Sequence, residues 1–190
     1  MEYIKYDFFD RSIIDFVVRE NYKHHQVFYD DDIVMCEIDK IYTEEQSYDG
    51  KKTFISIDEN GEINGAIRVI KWNYKDILPI QKIFNINPID LMLNDGYGVY
   101  HIGRFAIRKE KHSIRTFKTL MMLAIEEVLK EEKSFAIAEC DAKLLKTLKI
   151  LGVEIIRLSE SASYLGSETI PVLLPYDGLK NFYNTVDLLG

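Results

Sequence analysis

The stretch Val99-Tyr100-His101-Ile102-Gly103-Arg104-Phe105-Ala106-Ile107 carries the fold prediction, because its apolar and β-branched residues predict a strand. A basic turn follows this strand. From about residue 113 to about residue 132, apolar residues then recur at spacings of three and four, which predicts one long amphipathic helix. The apolar stripe of that helix consists of Phe117, Leu120, Met121, Ala124, Ile125, Val128 and Leu129.

A hairpin is predicted before this strand, and a further strand and helix are predicted after the long helix. Residues 53–57 and 62–70 flank Asn60-Gly61, a turn signal typical of a β-hairpin. Residues 134–138 predict a short buried strand, and Asp141 is placed to cap a second helix. The remaining predicted elements are a helix over 8–18 and strands over 153–158 and 170–174.

Single residues bear on where the first helix begins and on where the last strand lies in the sheet. Asp10 or Ser12 is suited to cap the first helix, and Pro171 favours a sheet edge or a strand start for the last strand. Together the elements predict an α+β architecture, with helices flanking a mixed, mostly antiparallel sheet. No repeat or flexible linker divides the 190 residues, so we expect a single domain spanning residues 1–190.

The composition limits the classes of function. A net charge of −7 argues against binding to nucleic acid and against docking on an anionic membrane. The charge is unevenly distributed: eight acidic residues and one lysine lie within 30–49, whereas six basic residues and one acidic residue lie within 104–118. The basic segment is therefore compatible with an acidic partner. Two cysteines, no signal peptide and no apolar run of membrane-spanning length predict a cytoplasmic protein.

Four segments, taken in order, resemble one group of enzymes. They are Glu44-Glu45-Gln46-Ser47-Tyr48-Asp49, Gly65-Ala66-Ile67-Arg68, Leu78-Pro79-Ile80-Gln81-Lys82-Ile83-Phe84 and His101-Ile102-Gly103-Arg104-Phe105-Ala106-Ile107. Over roughly residues 40–175, the chain resembles the acyl-homoserine-lactone (autoinducer) synthases and, more closely, the N-acyl amino acid synthases. The resemblance implies the GNAT (acyl-CoA N-acyltransferase) fold and transfer of a fatty acyl group from acyl carrier protein.

The same resemblance implies the catalytic residues. Asp49 matches the last acid of a short acidic motif, while Arg68 and Arg104 match two strand arginines of the family pattern. His101 stands where both groups of enzymes usually carry a Glu tied to general-base chemistry. Gly103 matches the amino acid synthases and not the Ser of the lactone synthases, so lactone formation from S-adenosylmethionine is not expected.

Elementary chemistry leaves two roles open for Arg68. Its neighbours look buried, and a buried guanidinium needs a carboxylate because an unpaired buried charge is very costly. The candidate partners are Asp49, Glu44 and Glu45. Such a pair either only fixes the acidic segment against the sheet or also orients a substrate, and the same alternatives apply to Arg104.

His101 is the candidate general base. Amine acylation needs a proton acceptor, and an imidazole titrates near pH 6.5, close to the useful range. The alternative is a structural histidine that bonds a carbonyl or caps the sheet edge. Strict alternation places His101 and Arg104 on opposite faces of the sheet, but a β-bulge, which Gly103 permits, brings them to one cleft.

The basic turn is the candidate donor site, with a solvated basic helix start as the alternative. The turn Arg108-Lys109-Glu110-Lys111-His112-Ser113 lacks the glycines that bring backbone close to a coenzyme A pyrophosphate, so its cations suit an acidic carrier protein better. The acyl chain is expected in an opening between the strands around 99–107 and 135–138. The predicted donor-binding residues are Phe105, Ile107, Arg108, Lys109, Lys111 and Arg115.

A few further residues have a possible chemical role. Tyr164 is a candidate proton donor to the leaving thiolate, as tyrosines are in many enzymes of this fold. Cys36 and Cys140 are predicted as core residues. His24-His25 lacks further ligand spacing, so no metal site is predicted.

The preferred hypothesis is an N-acyltransferase that moves a fatty acyl group from acyl carrier protein, or from coenzyme A, to an amine such as an amino acid. Two alternatives stay open. One is a small-molecule acetyltransferase that uses acetyl-coenzyme A. The other is a non-catalytic protein of the same fold that binds an acyl group or a protein partner, because the expected Glu at position 101 is missing.

Overall fold

Strands and helices cover most of the chain in the computed structural model, which describes residues 2–7, 10–25, 28, 30–92, 96–111, 113–164 and 166–187. The strands are β1 (Glu2–Tyr6), β2 (Lys51–Ile57), β3 (Ile63–Lys71), β4 (Gly98–Ile107), β5 (Ser134–Asp141), β6 (Ile156–Arg157), β7 (Ala162–Tyr164) and β8 (Ser167–Pro175). The helices are α1 (Arg11–His25), α2 (Asp31–Gln46), α3 (Pro79–Phe84), α4 (Ile114–Leu129), α5 (Ala142–Ile150) and α6 (Tyr176–Asp187). Phe8 and Phe9, predicted in the first helix, and the side chain of Lys111 lie outside the described residues.

The strands form one mixed sheet. Within the described residues their order is β1-β2-β3-β4-β5-β8-β6, and β7 pairs with β8. The β4–β5 pair is parallel, and the other pairs are antiparallel. Helix α4 makes the crossover between β4 and β5. The predicted mixed, mostly antiparallel sheet is therefore confirmed.

Two helix starts are capped as the sequence predicts. At α1, the Asp10 carboxylate accepts the backbone N–H of Ser12 at 2.7 Å. At α5, the Asp141 carboxylate accepts the backbone N–H groups of Lys143 and Leu144 at 2.7 and 2.8 Å. These bonds satisfy N–H groups that have no partner within the helix, which fixes where each helix begins.

Helices pack on both faces of the sheet, because adjacent residues of a strand point in opposite directions. On β3, Ile67 packs into the cluster formed with α4, where Leu120 is fully buried. Its neighbour Ala66 packs into the cluster formed with α1 and α2, where Ile14 and Ile38 are fully buried. The centre of the sheet is therefore covered on both sides, while the ends of its central strands remain available for a site.

Helix α2 occupies the acidic segment in which the sequence predicts no element. Its buried face consists of Val34, Ile38, Ile41 and Glu45, and acidic residues between them obscure the helical period. Cys36 lies on the solvent face of this helix and is exposed, so the prediction that it is a core residue is wrong. The sequence also does not predict β1, β7 or α6.

The last strands differ from the prediction. The strand expected over 153–158 is reduced to the two residues of β6. Strand β8 lies between β5 on one side and the short strands β6 and β7 on the other, so Pro171 is neither at an edge nor at a strand start. The Pro171 carbonyl accepts the backbone N–H of Leu158 at 3.0 Å, and Glu139 lies opposite Pro171 on β5.

Candidate active site

The parallel strands β4 and β5 pair at their beginnings and then separate. Residues 98–101 lie opposite residues 134–137, and the pairing ends at His101 and Ile137. Both strands continue beyond this point, and an open cleft of about 900 Å³, counting its part open to solvent, lies between them. We call the point of separation the apex of the cleft. The opening expected between these strands is therefore present.

A β-bulge in β4 brings His101 and Arg104 to this cleft. Ala66 of β3 lies opposite Ala106 of β4, but Arg68 lies opposite Gly103, so β4 holds one extra residue. The residue in the left-handed conformation is Arg104, with φ 53°, and not Gly103. His101 and Arg104 both line the cleft as a result.

Gly103 has a different role from the one predicted. A Cβ atom at this position would lie 2.8 Å from Arg68 Nη2 and 2.8 Å from His101 Cε1. Glycine is needed here because two buried side chains approach the backbone closely, not because the bulge requires its positive φ.

Arg68 and Arg104 share one buried carboxylate, Glu45 at the end of α2. Both Glu45 oxygens accept from Arg68 Nη1, at 2.9 and 3.0 Å, and Oε1 also accepts from Arg104 Nε at 2.8 Å. Burial alone would raise the pKa of Glu45, but the charges of Arg68 and Arg104 outweigh burial and hold the pKa below its ordinary value. Of the three candidate partners, Glu45 pairs with Arg68. Asp49 is exposed and does not line the cleft.

A second layer of charges surrounds this pair. Glu44 accepts from Lys82 Nζ at 2.7 Å and from the Tyr48 hydroxyl at 2.6 Å, and its other oxygen lies 3.4 Å from Arg104 Nη2. Burial would raise the pKa of Glu44, but these hydrogen bonds and the charge of Arg104 keep the pKa lowered. We call Glu44, Glu45, Arg68, Lys82 and Arg104 the ionic cluster.

His101 bridges the ionic cluster to Glu139 on β5. Its Nδ1 lies 2.8 Å from Arg68 Nη2, and its Nε2 lies 2.9 and 3.1 Å from the two oxygens of Glu139. A guanidinium can only donate, so Nδ1 accepts; Nε2 then carries the proton and donates to the carboxylate. His101 is a neutral imidazole with both nitrogens engaged.

Away from the apex, the cleft has an apolar wall. Phe105, one of the predicted donor-binding residues, lines it and packs edge-on against Phe117, with ring centroids 5.1 Å apart. Burial raises the pKa of the Cys140 thiol, which agrees with the predicted core role of this residue. Other apolar residues of the wall are Ile102, Met121, Leu144, Leu148 and Leu174.

Tyr164 lies on β7 and reaches the cleft from the side opposite β4. Its hydroxyl oxygen accepts from Arg104 Nη1 at 3.3 Å. The structure therefore brings this predicted proton donor to the cleft, next to the ionic cluster. The sequence does not predict β7, so the placement of Tyr164 depends on tertiary structure.

The basic turn is held largely by backbone contacts. The Arg108 guanidinium donates to the carbonyl of Ile63 at 2.6 and 3.0 Å, and Lys109 Nζ donates to the carbonyl of Lys23 at 2.9 Å. The backbone N–H of Lys109 donates to the buried carboxylate of Glu20 at 2.8 Å. These groups tie the turn to α1 and β3.

Arg115 and Ile107, two further predicted donor-binding residues, differ in exposure. Arg115 is exposed on the first turn of α4. The Ile107 side chain is buried in the core, and its carbonyl oxygen lies 2.9 Å from His24 Nε2. The backbone at the end of β4 is therefore tied to the end of α1.

Sequence reasoning named Glu44 as a possible partner of Arg68, but it did not identify Glu139, Lys82 or Tyr48 as site residues. The signal for Glu139 was present, because it interrupts the apolar run Ala136-Ile137-Ala138 just before Cys140. A charged residue between two buried residues of a strand needs a polar partner. Finding that partner requires the pairing of β5 with β4, which no local pattern provides.

Two further features are absent from the described ranges. No group of three or more His, Cys, Asp or Glu side chains is arranged there to hold a metal ion. No helix in that part of the chain is long and apolar enough to cross a membrane.

The fold is found in solved acyltransferase structures. No family model and no curated protein matches the chain. FeeM, an N-acyl amino acid synthase from uncultured soil microbes, is 15% identical to this chain. The match covers 90% of this chain and 93% of FeeM, with a TM-score of 0.67. An acyl-CoA N-acyltransferase from Pseudomonas aeruginosa is 11% identical over 92% of this chain and 99% of its own, with a TM-score of 0.55.

A third structure has a ligand related to the expected donor. BjaI, a CoA-dependent acyl-homoserine lactone synthase with SAM and isopentyl-CoA, is 11% identical, covers 74% of this chain over 66% of its own, and has a TM-score of 0.52. The protein has the acyl-CoA N-acyltransferase (GNAT) fold, and the fold implied by the sequence resemblance is confirmed.

Proposed function

We propose that the protein is an N-acyltransferase that moves a fatty acyl group from a thioester donor to an amine such as an amino acid. One observation carries the proposal: the separated strands β4 and β5 form a cleft with a polar, charge-balanced apex and an apolar wall. An acyl thioester has the same division, because its carbonyl is polar and its chain is apolar. The fold shared with an N-acyl amino acid synthase supports this reaction class.

In the proposed complex, the acyl chain lies against the apolar wall and its carbonyl carbon faces the apex. Arg68 and Arg104 order the apex through their shared carboxylate, Glu45. The Tyr164 hydroxyl, beside Arg104, is the proposed proton donor to the leaving thiolate. The amine attacks the carbonyl carbon from the side of β5.

Acyl carrier protein is the proposed donor, with acyl-coenzyme A as the competitor. A coenzyme A pyrophosphate needs free backbone N–H groups at the basic turn, but the Lys109 N–H already donates to the Glu20 carboxylate. A carboxylate at this turn also repels an anionic pyrophosphate. The exposed cation of Arg115 suits the acidic surface of a carrier protein, which approaches without entering the turn.

The test is thiol release. We incubate the protein with decanoyl-acyl carrier protein or decanoyl-coenzyme A and with each of the common amino acids. Free thiol is followed with a chromogenic disulfide, and the N-acyl product is identified by mass spectrometry. We expect release that depends on both donor and amine. Release no faster than hydrolysis of the donor alone, with every pair, contradicts the proposal.

The second candidate is a non-catalytic protein that binds an acyl group, and the state of His101 favours it. Both imidazole nitrogens are engaged and the side chain is 1% exposed, so the expected general base has no free nitrogen. This candidate predicts that decanoyl-acyl carrier protein binds without loss of its thioester. Turnover with any amine excludes it.

A further inference from the structure

Two carboxylates of the described residues line the cleft, Glu139 beside the apex and Asp141 at the end of β5. Asp141 caps α5 by accepting two backbone N–H groups, so Glu139 is the carboxylate that the cleft exposes at its apex. Its side chain lines the cleft and is 9% exposed, whereas the Glu45 side chain is 0% exposed and does not line the cleft. Glu44 does not line the cleft either. Of these three glutamates, only Glu139 is in a position to contact a small molecule in the cleft.

Glu139 also has no direct ion-pair partner among the described arginines and lysines. Both of its oxygens face the single N–H of His101 Nε2, and no arginine or lysine of the described residues forms an ion pair with it. A carboxylate has about four lone-pair positions, so one N–H leaves most of its accepting capacity free. An ammonium ion is the ligand that such a group binds best.

His101 is the reason why Glu139 forms no direct ion pair with Arg68. The imidazole lies between Arg68 and Glu139, bonded to each, and prevents a direct ion pair. Arg68 is instead balanced by Glu45. The neutral imidazole holds Glu139 in place with one hydrogen bond and adds no charge of its own.

We propose that Glu139 binds the ammonium group of the acceptor amine and accepts its proton, and that His101 is a positioning residue. This inference rests on the proposed N-acyl transfer and names its proton acceptor. The resemblance implies a carboxylate at position 101 of β4; here the carboxylate is supplied by β5, across the apex.

The reaction balances with these groups. The acceptor ammonium loses one proton to a Glu139 oxygen, which frees the nitrogen lone pair. The nitrogen bonds to the thioester carbonyl carbon, and the C=O π electrons move to oxygen. They return as the C–S bond breaks, and a second proton from nitrogen passes to the thiolate through Tyr164. The products are an amide, a thiol and one proton, which Glu139 gives to solvent.

Two substitutions separate the roles of Glu139 and His101. Glu139→Gln keeps an oxygen that accepts from His101 but removes the charge and the basic site. His101→Gln has an amide oxygen to accept from Arg68 and an amide N–H to donate to Glu139, but it cannot act as a base. Glu59→Gln in the exposed turn between β2 and β3 is the matched control. Thermal unfolding of each variant verifies that it folds.

The first readout is binding of hexylammonium chloride, followed by titration calorimetry at neutral pH. The second is thiol release with the donors and amines used to test the function. For Glu139→Gln we expect binding at least tenfold weaker and kcat/KM at least about a hundredfold lower, the size of a general-base contribution. For His101→Gln we expect at most about a tenfold loss in kcat/KM, and for Glu59→Gln no change.

Each outcome bears on a defined part of the proposal. If Glu139→Gln keeps kcat/KM within threefold of wild type, the proton-acceptor assignment is overturned while the proposed function stands. If His101→Gln loses as much as Glu139→Gln, the imidazole itself titrates and the positioning role is overturned. If wild type releases no thiol, the proposed function and the proton transfer both fail, and only Glu139-dependent binding of hexylammonium supports the ammonium site.

Discussion

The ionic cluster and the basic turn are both dense in charge, yet they differ in what their charges contact. In the cluster, Arg68 pairs with Glu45, and both side chains are almost wholly buried. In the turn, Arg108 and Lys109 donate to backbone carbonyls, and Arg115 is exposed. Burial forces the charges of Arg68 and Glu45 to find partners, so the positions of their side chains are constrained. Exposed cations are under no such constraint.

This difference has energetic consequences. Removing one partner of a buried ion pair costs about 3–5 kcal/mol, because the other charge stays buried without compensation. A surface substitution usually changes stability by less than about 0.5 kcal/mol. Matched substitutions in the two regions should therefore separate clearly.

The largest effect is expected from Arg68→Met. This change removes a guanidinium that bonds Glu45 and His101, and leaves Glu45 with Arg104 alone. We expect the free energy of unfolding in urea at pH 7 to fall by about 3–5 kcal/mol. Arg115→Met is the matched control, with a change below about 0.5 kcal/mol. Equal losses for the two variants would show that the cluster is no more constrained than the turn.

Gly103→Ala tests the close approach within the cluster. The new Cβ would meet Arg68 Nη2 and His101 Cε1 at 2.8 Å, so at least one side chain must move. We expect a loss of about 1–3 kcal/mol in unfolding free energy and a clear loss of thiol release. Gly61→Ala, at a hairpin position with φ 79° and open space, should cost about 1–2 kcal/mol without loss of thiol release. Full thiol release by Gly103→Ala would argue that the geometry of the apex is not needed for acyl transfer.

The pH dependence of the free energy of unfolding also distinguishes the ionic cluster from the basic turn. The pKa of Glu45 is lowered below its ordinary value of 4.5 in the folded protein. As pH falls below 4.5, the unfolded carboxyl binds a proton before the folded one does, so the free energy of unfolding decreases. Urea midpoints between pH 3 and pH 6 should show a weaker decrease for Arg68→Met than for wild type. Arg115→Met should follow wild type; a parallel curve for Arg68→Met would contradict the assigned cause.

The smallest effect is expected at the basic turn itself. For Arg115→Ala we expect KM for decanoyl-acyl carrier protein to rise about two- to fivefold at low salt, the size of one surface ion pair. The difference should disappear as salt screens the exposed charge. The KM for decanoyl-coenzyme A should not change. A rise in KM with both donors would place Arg115 at the thioester part of the donor.

The predictable part of the fold follows from periodic burial. The stripe of α4, the hairpin of β2 and β3 and the cap at Asp141 each depend on residues close in sequence, and each was predictable. Helix α2 was not, because acidic side chains interrupt its apolar period. For the candidate site, His101 and Arg104 could be named from a motif, but Glu139 could not.

The chain's local patterns were sufficient for the strand 99–107, the long helix after it and the α+β class, because spacing of apolar residues sets which face of an element is buried. The site depended on contacts between distant residues. Glu45 lies 23 residues from Arg68, and His101 lies 38 residues from Glu139. A bulge of one residue turns Arg104 into the cleft, and the end of β4–β5 pairing leaves Glu139 facing it. Both depend on register between strands, which only the assembled sheet defines.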